Sequence, residues 1–168
     1  NGNKIEIIPS VAGRATQHDK DIVLFCVSKL VAAINAGIPV SPVIETTAHE
    51  LLSFTRSSTS ERGYELLSKA FDRLTGTRMR ATFESTKDRN GSRRWVGLLD
   101  DVEIITRGAK NRMCAIRIKV SDTTYNAATA MDVLTIPGDY FGLRSAIAKR
   151  LYELCRKHCS DQGQWKIG

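Results

Sequence analysis

One stretch of the chain, residues 56–94, constrains the fold more than any other. It reads RSSTSERGYELLSKAFDRLTGTRMRATFESTKDRNGSRR, which combines a helical pattern, a glycine, a strand-like run and a basic turn. The stretch holds ten basic and five acidic side chains, a net +5 of the chain's formal +7. Because most of the excess positive charge lies in one helix–hairpin segment, we expect this segment to bind a polyanion.

Residue spacing predicts a helix over residues 60–75. Its apolar positions recur at steps of three and four: Gly63, Leu67, Ala70, Phe71 and Leu74. The serines and threonine at 57–60 are candidate N-caps, and Gly76 is a candidate left-handed C-cap. The opposite face carries Ser58, Arg62, Glu65 and Lys69. A stripe of donors facing outward suits a helix in the DNA major groove, although an ordinary solvated helix face has the same pattern.

The neighbouring segments complete the pattern of a winged helix-turn-helix. A short helix is predicted over 48–54, and a turn over 55–59 joins it to the helix at 60–75. Strand-like runs follow at 78–86, 93–106 and 113–120, and Asn-Gly in the first turn is a strong hairpin signal. We therefore predict a three-stranded antiparallel meander whose basic first turn contacts DNA backbone or minor groove. The alternative is a sheet edge protected by charge.

The predicted fold class is α+β: a winged helix-turn-helix domain with a three-stranded antiparallel wing or meander and a long C-terminal linker helix. A helix over 21–36 is apolar nearly all round, which is typical of a core helix or one used for association. A long helix over 141–159 carries an apolar face. That face consists of Leu143, Ile147, Leu151, Leu154, Cys155 and His158. These two helices are expected to form the core with the meander.

Composition narrows the class of protein. At 168 residues, 42% hydrophobic and 26% charged, the chain has the length and balance of one globular domain with a proper core. The longest apolar run, residues 22–27, is far too short to span a bilayer. Four dispersed cysteines indicate reduced thiols in a cytoplasm rather than a disulfide scaffold.

We predict no cofactor and no metal. Cys155, His158 and Cys159 share one helix, but zinc sites usually gather four ligands in paired short spacings, and a second pair is missing from the sequence. A packed helix face explains the three residues better.

The sequence also argues against an enzyme. Nicking of DNA would need a nucleophilic Tyr and a metal held by clustered histidines. The three histidines are widely separated, and no glycine-rich loop with a following Lys suggests ATP binding. RNA binding is disfavoured because the usual aromatic platform on a sheet is missing.

Several segments in this order resemble the plasmid replication initiator protein A family, which consists of iteron-binding initiators built on winged helices. The segments that carry the resemblance are IEIIPS, ATQHDKDIVLFCVSKL, YELLSKAFDRLTGTR, WVGLLDDVEII, VLTIPGDYFGLR, RLYELCRKHC and QWKI. They cover the chain almost end to end, and none of them is catalytic.

The resemblance implies a bacterial, cytoplasmic protein that binds double-stranded plasmid-origin DNA at repeats. It further implies that the protein forms a homodimer, and that the dimer acts as a repressor while the monomer initiates replication. The host helicase and the host initiator would be further partners. Residues 1–140 would form a first winged-helix domain, 141–160 a long helix leading toward a second, and 161–168 the start of that truncated second domain. A winged-helix transcriptional repressor and a dimerisation-only module remain as alternatives.

The predicted DNA contacts follow from the positions of the helix and the wing. They are Arg56, Ser58, Arg62, Glu65, Lys69, Arg78, Arg80, Lys87, Arg89, Asn90, Arg93 and Arg94.

Overall fold

The computed structural model describes residues 4–84, 91–107, 112–131, 133 and 136–159. The described elements, in chain order, are β1 (Lys4–Ile8), α1 (Lys20–Asn35), β2 (Val43–Thr46), α2 (Ala48–Phe54), α3 (Glu61–Gly76), β3 (Arg78–Glu84), β4 (Gly91–Gly97), β5 (Leu99–Arg107), β6 (Arg112–Val120), α4 (Asp122–Thr129), a 3-10 turn (Gly138–Gly142) and α5 (Ala146–Cys159). The predicted α+β class and winged helix-turn-helix are confirmed.

The described strands form two antiparallel three-stranded sheets. The first has the order β1-β3-β4, with Ile7 opposite Met79 and Met79 opposite Val96. The second has the order β2-β6-β5, with Ile44 opposite Ile118. The β3–β4 hairpin with β1 beside it is the three-stranded antiparallel wing.

The third strand of the wing is β1, whereas the sequence predicts the run over 113–120 in that place. The run over 93–106 divides into β4 and β5, and the chain passes from the first sheet to the second at Gly97–Leu99. A Cβ at Gly97 would lie 2.8 Å from Nη1 of Arg78 and 3.1 Å from the Leu99 carbonyl oxygen. A residue without a side chain therefore lets the strand turn sharply here, which is how strands switch between packed sheets.

The core lies between the helices and the second sheet, and α3 contributes the face that its spacing predicts. All five predicted positions of α3 are buried, from Gly63 to Leu74. The rest of the core comes mainly from α1 (Ile22, Phe25, Cys26, Leu30), α2 (Leu51, Leu52) and β6 (Ile116, Ile118, Val120).

Two helix ends differ from the sequence-based expectation. Gly76 stays inside α3 and has no positive φ, so the predicted left-handed cap is wrong. A Cβ there would lie 2.4 Å from Cβ of Ser10, so close packing of the loop after β1 is what requires glycine. Ser60 precedes α3 but makes no side-chain capping bond, whereas Thr47 accepts one from Glu50 at the start of α2.

The face that α5 buries is also different from the predicted one. The helix begins at Ala146, after a 3-10 turn, and its buried residues are Lys149 and Glu153. Ile147 is 81% exposed and Leu151 is 48% exposed, so the expected burial is wrong for these two residues, while Leu143, Leu154 and Cys155 are half-buried. Ion pairs with α1 explain why these two charged residues are buried. Lys149 pairs with Asp21, and Glu153 pairs with Lys20.

Aromatic rings of the 3-10 turn take the place of the missing apolar contacts. Tyr140 and Phe141 are buried, and the Phe141 ring lies 4.9 Å from that of Phe54. The Tyr140 hydroxyl donates to Glu153 at 2.8 Å. Burial and this carboxylate raise the pKa of Tyr140 well above its usual range.

Candidate nucleic-acid interface

The polar stripe of α3 lies on the solvent side of the helix. Arg62, Glu65 and Lys69 are all exposed, while the opposite face of the helix is buried. Ser58 is exposed too, but it lies in the turn before α3, against Gly63 of the buried face, so its predicted place on the stripe is wrong. Among the described residues, Arg62 and Lys69 make no ion pair. These two cations are therefore available to phosphates or base edges, as a recognition helix requires.

Close packing fixes the turn that precedes α3. A Cβ at Gly63 would lie 1.8 Å from the Ser58 carbonyl oxygen, a distance that no side chain tolerates. The Thr55 hydroxyl donates to the Leu51 carbonyl oxygen at 3.0 Å, which ties the turn to the end of α2. The first turn of α3 is consequently held in one position relative to α2.

Arg56 has a different environment from the stripe. It adopts a left-handed backbone conformation, with φ of 51°, at the end of α2. Its guanidinium lies 3.6 Å from the Asp139 carboxylate and beside Gly142. The predicted DNA contact by Arg56 would thus compete with an ion pair to the 3-10 turn, although both partners are exposed and such pairs are weak.

A bidentate ion pair, which the sequence analysis did not identify, sets the orientation of α3 on α1. Nε and Nη2 of Arg73 each donate to Asp19 at 2.7 Å. Burial raises the pKa of Asp19, but the hydrogen bonds from Arg73 and Thr16 outweigh burial and lower the pKa overall. Arg73 is therefore a positioning residue for the candidate recognition helix.

The wing begins directly after α3 and carries four of the predicted contacts in described positions. Arg78 is the first residue of β3 and is exposed. The helix α3 packs on β5 and also contacts β4. Arg80 is half-buried and is bound to Glu6 of β1, which Lys4 also contacts. Hydrogen bonds from Lys4 and Arg80 lower the pKa of Glu6. Part of the charge of Arg80 is thus neutralised inside the sheet.

Arg93 and Arg94 are the exposed cations of β4. Arg93 lies opposite Thr82 and Arg94 opposite Ala81, and neither makes an ion pair within the described part of the chain. Consecutive strand residues point to opposite faces of a sheet, so these two arginines lie on different sides of the ribbon. Such a ribbon can contact phosphates on both of its sides when it approaches a duplex edge-on.

Three predicted contacts cannot be placed. Lys87, Arg89 and Asn90, which the sequence predicts in the basic turn of the wing, lie outside the described residues. The role of every predicted contact stays a prediction.

Two other kinds of site are not found in the described residues. No group of three or more His, Cys, Asp or Glu side chains within them could hold a metal ion. None of their helices has the length and apolarity needed to cross a membrane.

Comparison with solved structures gives the fold. The crystal structure of domains 2 and 3 of RctB, in its selenomethionine form, matches with a TM-score of 0.68 at 10% identity, over 93% of this chain and 63% of that one. The structure of RctB residues 155–483 matches with a TM-score of 0.65 at 12% identity, over 98% of this chain and 66% of that one. At such low identity, the likeness shows a shared fold alone.

Comparison of sequences gives the family. The "Putative replication protein" of Wigglesworthia glossinidia brevipalpis is 34% identical over 165 residues, which cover 97% of this chain and 60% of that protein. The chain thus spans about three fifths of this relative's length. The family model described as replication initiator protein A matches residues 1–168. Together with the winged helix-turn-helix, these matches show that the chain belongs to the replication initiator protein A family.

Proposed function

We propose that this chain is a DNA-binding winged helix of a plasmid replication initiator and binds double-stranded origin repeats, or iterons, sequence-specifically. The proposal rests on the difference between the two faces of α3. Its apolar face is buried from Gly63 to Leu74, and its opposite face presents exposed Arg62 and Lys69 without ion pairs among the described residues. Because the chain spans about three fifths of its relative, the activity of the whole protein is part of the proposal.

In the proposed mechanism, α3 enters the major groove and the β3–β4 ribbon lies along the backbone. Arg62 donates to base edges, for which guanine is the usual partner, while Ser58 and Lys69 contact bases or phosphates. Arg93 and Arg94 contact phosphates and set the register of α3. Phosphate contacts then supply most of the affinity, which should fall steeply with salt. The chain acts by binding, without catalysis and without a cofactor.

The proposal includes a homodimer, and we propose a surface other than α1 for it. The large apolar side chains of α1 are buried or half-buried. The most exposed apolar pair in a described strand is on β1, where Ile5 is 72% and Ile7 is 52% exposed. Both lie on the face shared with Met79 and Val96, and β1 has no strand on its other side among the described residues. Contacts with the host helicase and host initiator, in the bacterial cytoplasm, belong to the same proposal.

Fluorescence anisotropy tests the DNA-binding proposal. The chain is titrated onto iteron duplexes from plasmid origins and onto a scrambled duplex across a salt series, while its mass is measured in parallel. Preference for iteron DNA with a steep salt slope supports an origin-binding winged helix. A stable dimer without any DNA preference contradicts it and supports the dimerisation-only module. Tight binding to a promoter operator but not to iterons would support the transcriptional repressor.

A further inference from the structure

One face of the β1-β3-β4 sheet combines an exposed tryptophan with three arginines. Consecutive side chains of a strand point to opposite faces, so Trp95 shares a face with Arg93, two residues before it on β4. Arg80 of β3 lies directly opposite Trp95, and Arg78 lies diagonally from it, opposite Gly97. Cβ atoms at such positions lie about 5 to 8 Å from that of the central residue. We call Arg78, Arg80, Arg93 and Trp95 the tryptophan face.

The indole ring of Trp95 is open to a ligand. Trp95 is 54% exposed. Within the described part of the chain, its ring stacks on no other ring, and no cation lies over it. The exposed apolar residues Ile5 and Ile7 of β1 lie on the opposite face of the sheet. Trp95 is therefore separate from that apolar surface.

The free charges beside the indole are positive. Arg78 and Arg93 are exposed and make no ion pair with any described residue. Glu6 of β1 lies on the same face, opposite Arg80, but its carboxylate is bound by both Arg80 and Lys4. The negative charge of Glu6 is thus neutralised, and two unpaired arginines flank the ring.

A flat apolar ring between two free cations complements an unpaired base with a phosphate on either side. A duplex offers only its phosphates to such a face, because its bases are already stacked on each other. An apolar protein surface would match the indole but would leave the arginines without partners. A single strand of nucleic acid matches both features.

We propose that the tryptophan face binds single-stranded DNA. An unpaired base stacks on Trp95, and the phosphates on either side of it bind Arg78 and Arg93. Copying a duplex requires separation of its strands, so a replication initiator meets single-stranded DNA where replication begins. Trp95 has no role in the duplex contact proposed above, so single-strand binding and iteron binding can be tested apart.

The test uses the emission of Trp95, which a stacked base quenches. The chain has two tryptophans, so Trp165→Phe leaves Trp95 as the reporter. This variant is titrated with an oligothymidylate of about 12 nucleotides, an oligouridylate of the same length and an unrelated duplex. We expect saturable quenching by the oligothymidylate, whereas the duplex leaves the emission nearly unchanged. No quenching by the oligothymidylate, equal quenching by the duplex, or tighter binding of the RNA strand would overturn the proposal.

Variants at Trp95 assign the stacking contact. Trp95→Ala should lower the affinity for labelled oligothymidylate about tenfold, whereas Trp95→Phe keeps a ring and most of the affinity. Ile38→Ala is the matched control, because Ile38 is 59% exposed and lies outside the sheet. Trp95→Ala should leave the affinity for iteron duplex unchanged. Unchanged oligothymidylate affinity in Trp95→Ala, an equal loss in Ile38→Ala, or an equal loss on the duplex would overturn the assignment.

A charge variant decides if Trp95→Ala fails to fold. Arg78→Ala removes one phosphate contact and should reduce the slope of log oligothymidylate affinity against log salt concentration by about 0.7. Arg144→Ala, which removes another exposed arginine, should leave this slope unchanged. An unchanged slope in Arg78→Ala would overturn the proposal.

Discussion

Arg73 donates two hydrogen bonds of 2.7 Å each to the carboxylate of Asp19. Arg73 lies near the end of α3, and Asp19 lies just before α1. The Asp19 side chain is 5% exposed and that of Arg73 is 21% exposed, so the pair is largely shielded from water. This contact fixes the end of the candidate recognition helix on α1, while Gly63 fixes its beginning against Ser58. The exposed stripe between these two points is presented on a helix held at both ends.

Removing the arginine should destabilise the domain. Arg73→Ala leaves a buried carboxylate without its partner, and we expect the free energy of unfolding to fall by about 2–4 kcal/mol, less than for a fully buried pair because Arg73 is partly exposed. Urea denaturation measures this change. Arg144→Ala removes an exposed arginine with no ion pair in the described residues and serves as the control. A loss of equal size in both variants would contradict the role of the pair.

The same pair predicts part of the acid sensitivity. The pKa of Asp19 is lower in the folded chain than its usual value of about 3.9, so the unfolded chain binds the proton more readily. The stability that Asp19 contributes is therefore present at neutral pH and lost as pH falls below about 4 through the folded pKa. Asp19→Asn should make the free energy of unfolding decline less steeply below about pH 5. An unchanged slope would mean that other carboxylates, such as Glu50, dominate.

Gly63→Ala should destabilise the domain although alanine is the better helix former. In an exposed helix this change would stabilise by about 1 kcal/mol. At Gly63 the new Cβ meets the Ser58 carbonyl oxygen, so we expect a net loss of about 1–3 kcal/mol and weaker DNA binding. Thermal unfolding measures the loss of stability, and fluorescence anisotropy measures the loss of DNA affinity. Gly138→Ala is the control, because nothing lies within 4 Å of its Cβ position. A stabilised Gly63→Ala variant would show that the turn is free to move.

Arg62→Ala should weaken binding to iteron DNA by about 1–3 kcal/mol if Arg62 reads a base. Binding to a scrambled duplex should change much less, so the ratio of the two dissociation constants falls. Anisotropy on both duplexes measures the ratio, with Arg144→Ala as the control for loss of one surface charge. An equal loss on both duplexes would make Arg62 a phosphate contact.

Charge reversal at Arg93 and Arg94 should weaken binding to every duplex alike. Both side chains are exposed on β4 and contact the backbone in the proposed mechanism. Replacing both by glutamate should reduce the slope of log affinity against log salt concentration by the amount expected for the loss of about two phosphate contacts. The slope of log Kd against log salt concentration gives this number. A change confined to iteron DNA would instead assign base reading to the ribbon, and no change would remove the ribbon from the mechanism.

The sequence by itself determined the elements whose signal is local. The three- and four-residue spacing of apolar side chains predicted both faces of α3, because a helix repeats every 3.6 residues. Asn-Gly predicted the hairpin between β3 and β4, and the order of segments indicated the family. The candidate stripe on α3 could be named for the same reason, since burial of one face leaves the other exposed.

Tertiary structure decided the features that depend on residues far apart in the chain. The Arg73–Asp19 pair joins residues 54 positions apart, and Lys149–Asp21 joins residues 128 positions apart. With the second pair, Lys149 and Glu153 of α5 are buried and Ile147 is exposed, which its local apolar pattern did not predict. The break at Gly97 likewise depends on the guanidinium of Arg78 from a neighbouring strand. Local periodicity carries no information about such partners, because it reflects only neighbouring positions and the two charges meet only in the folded chain.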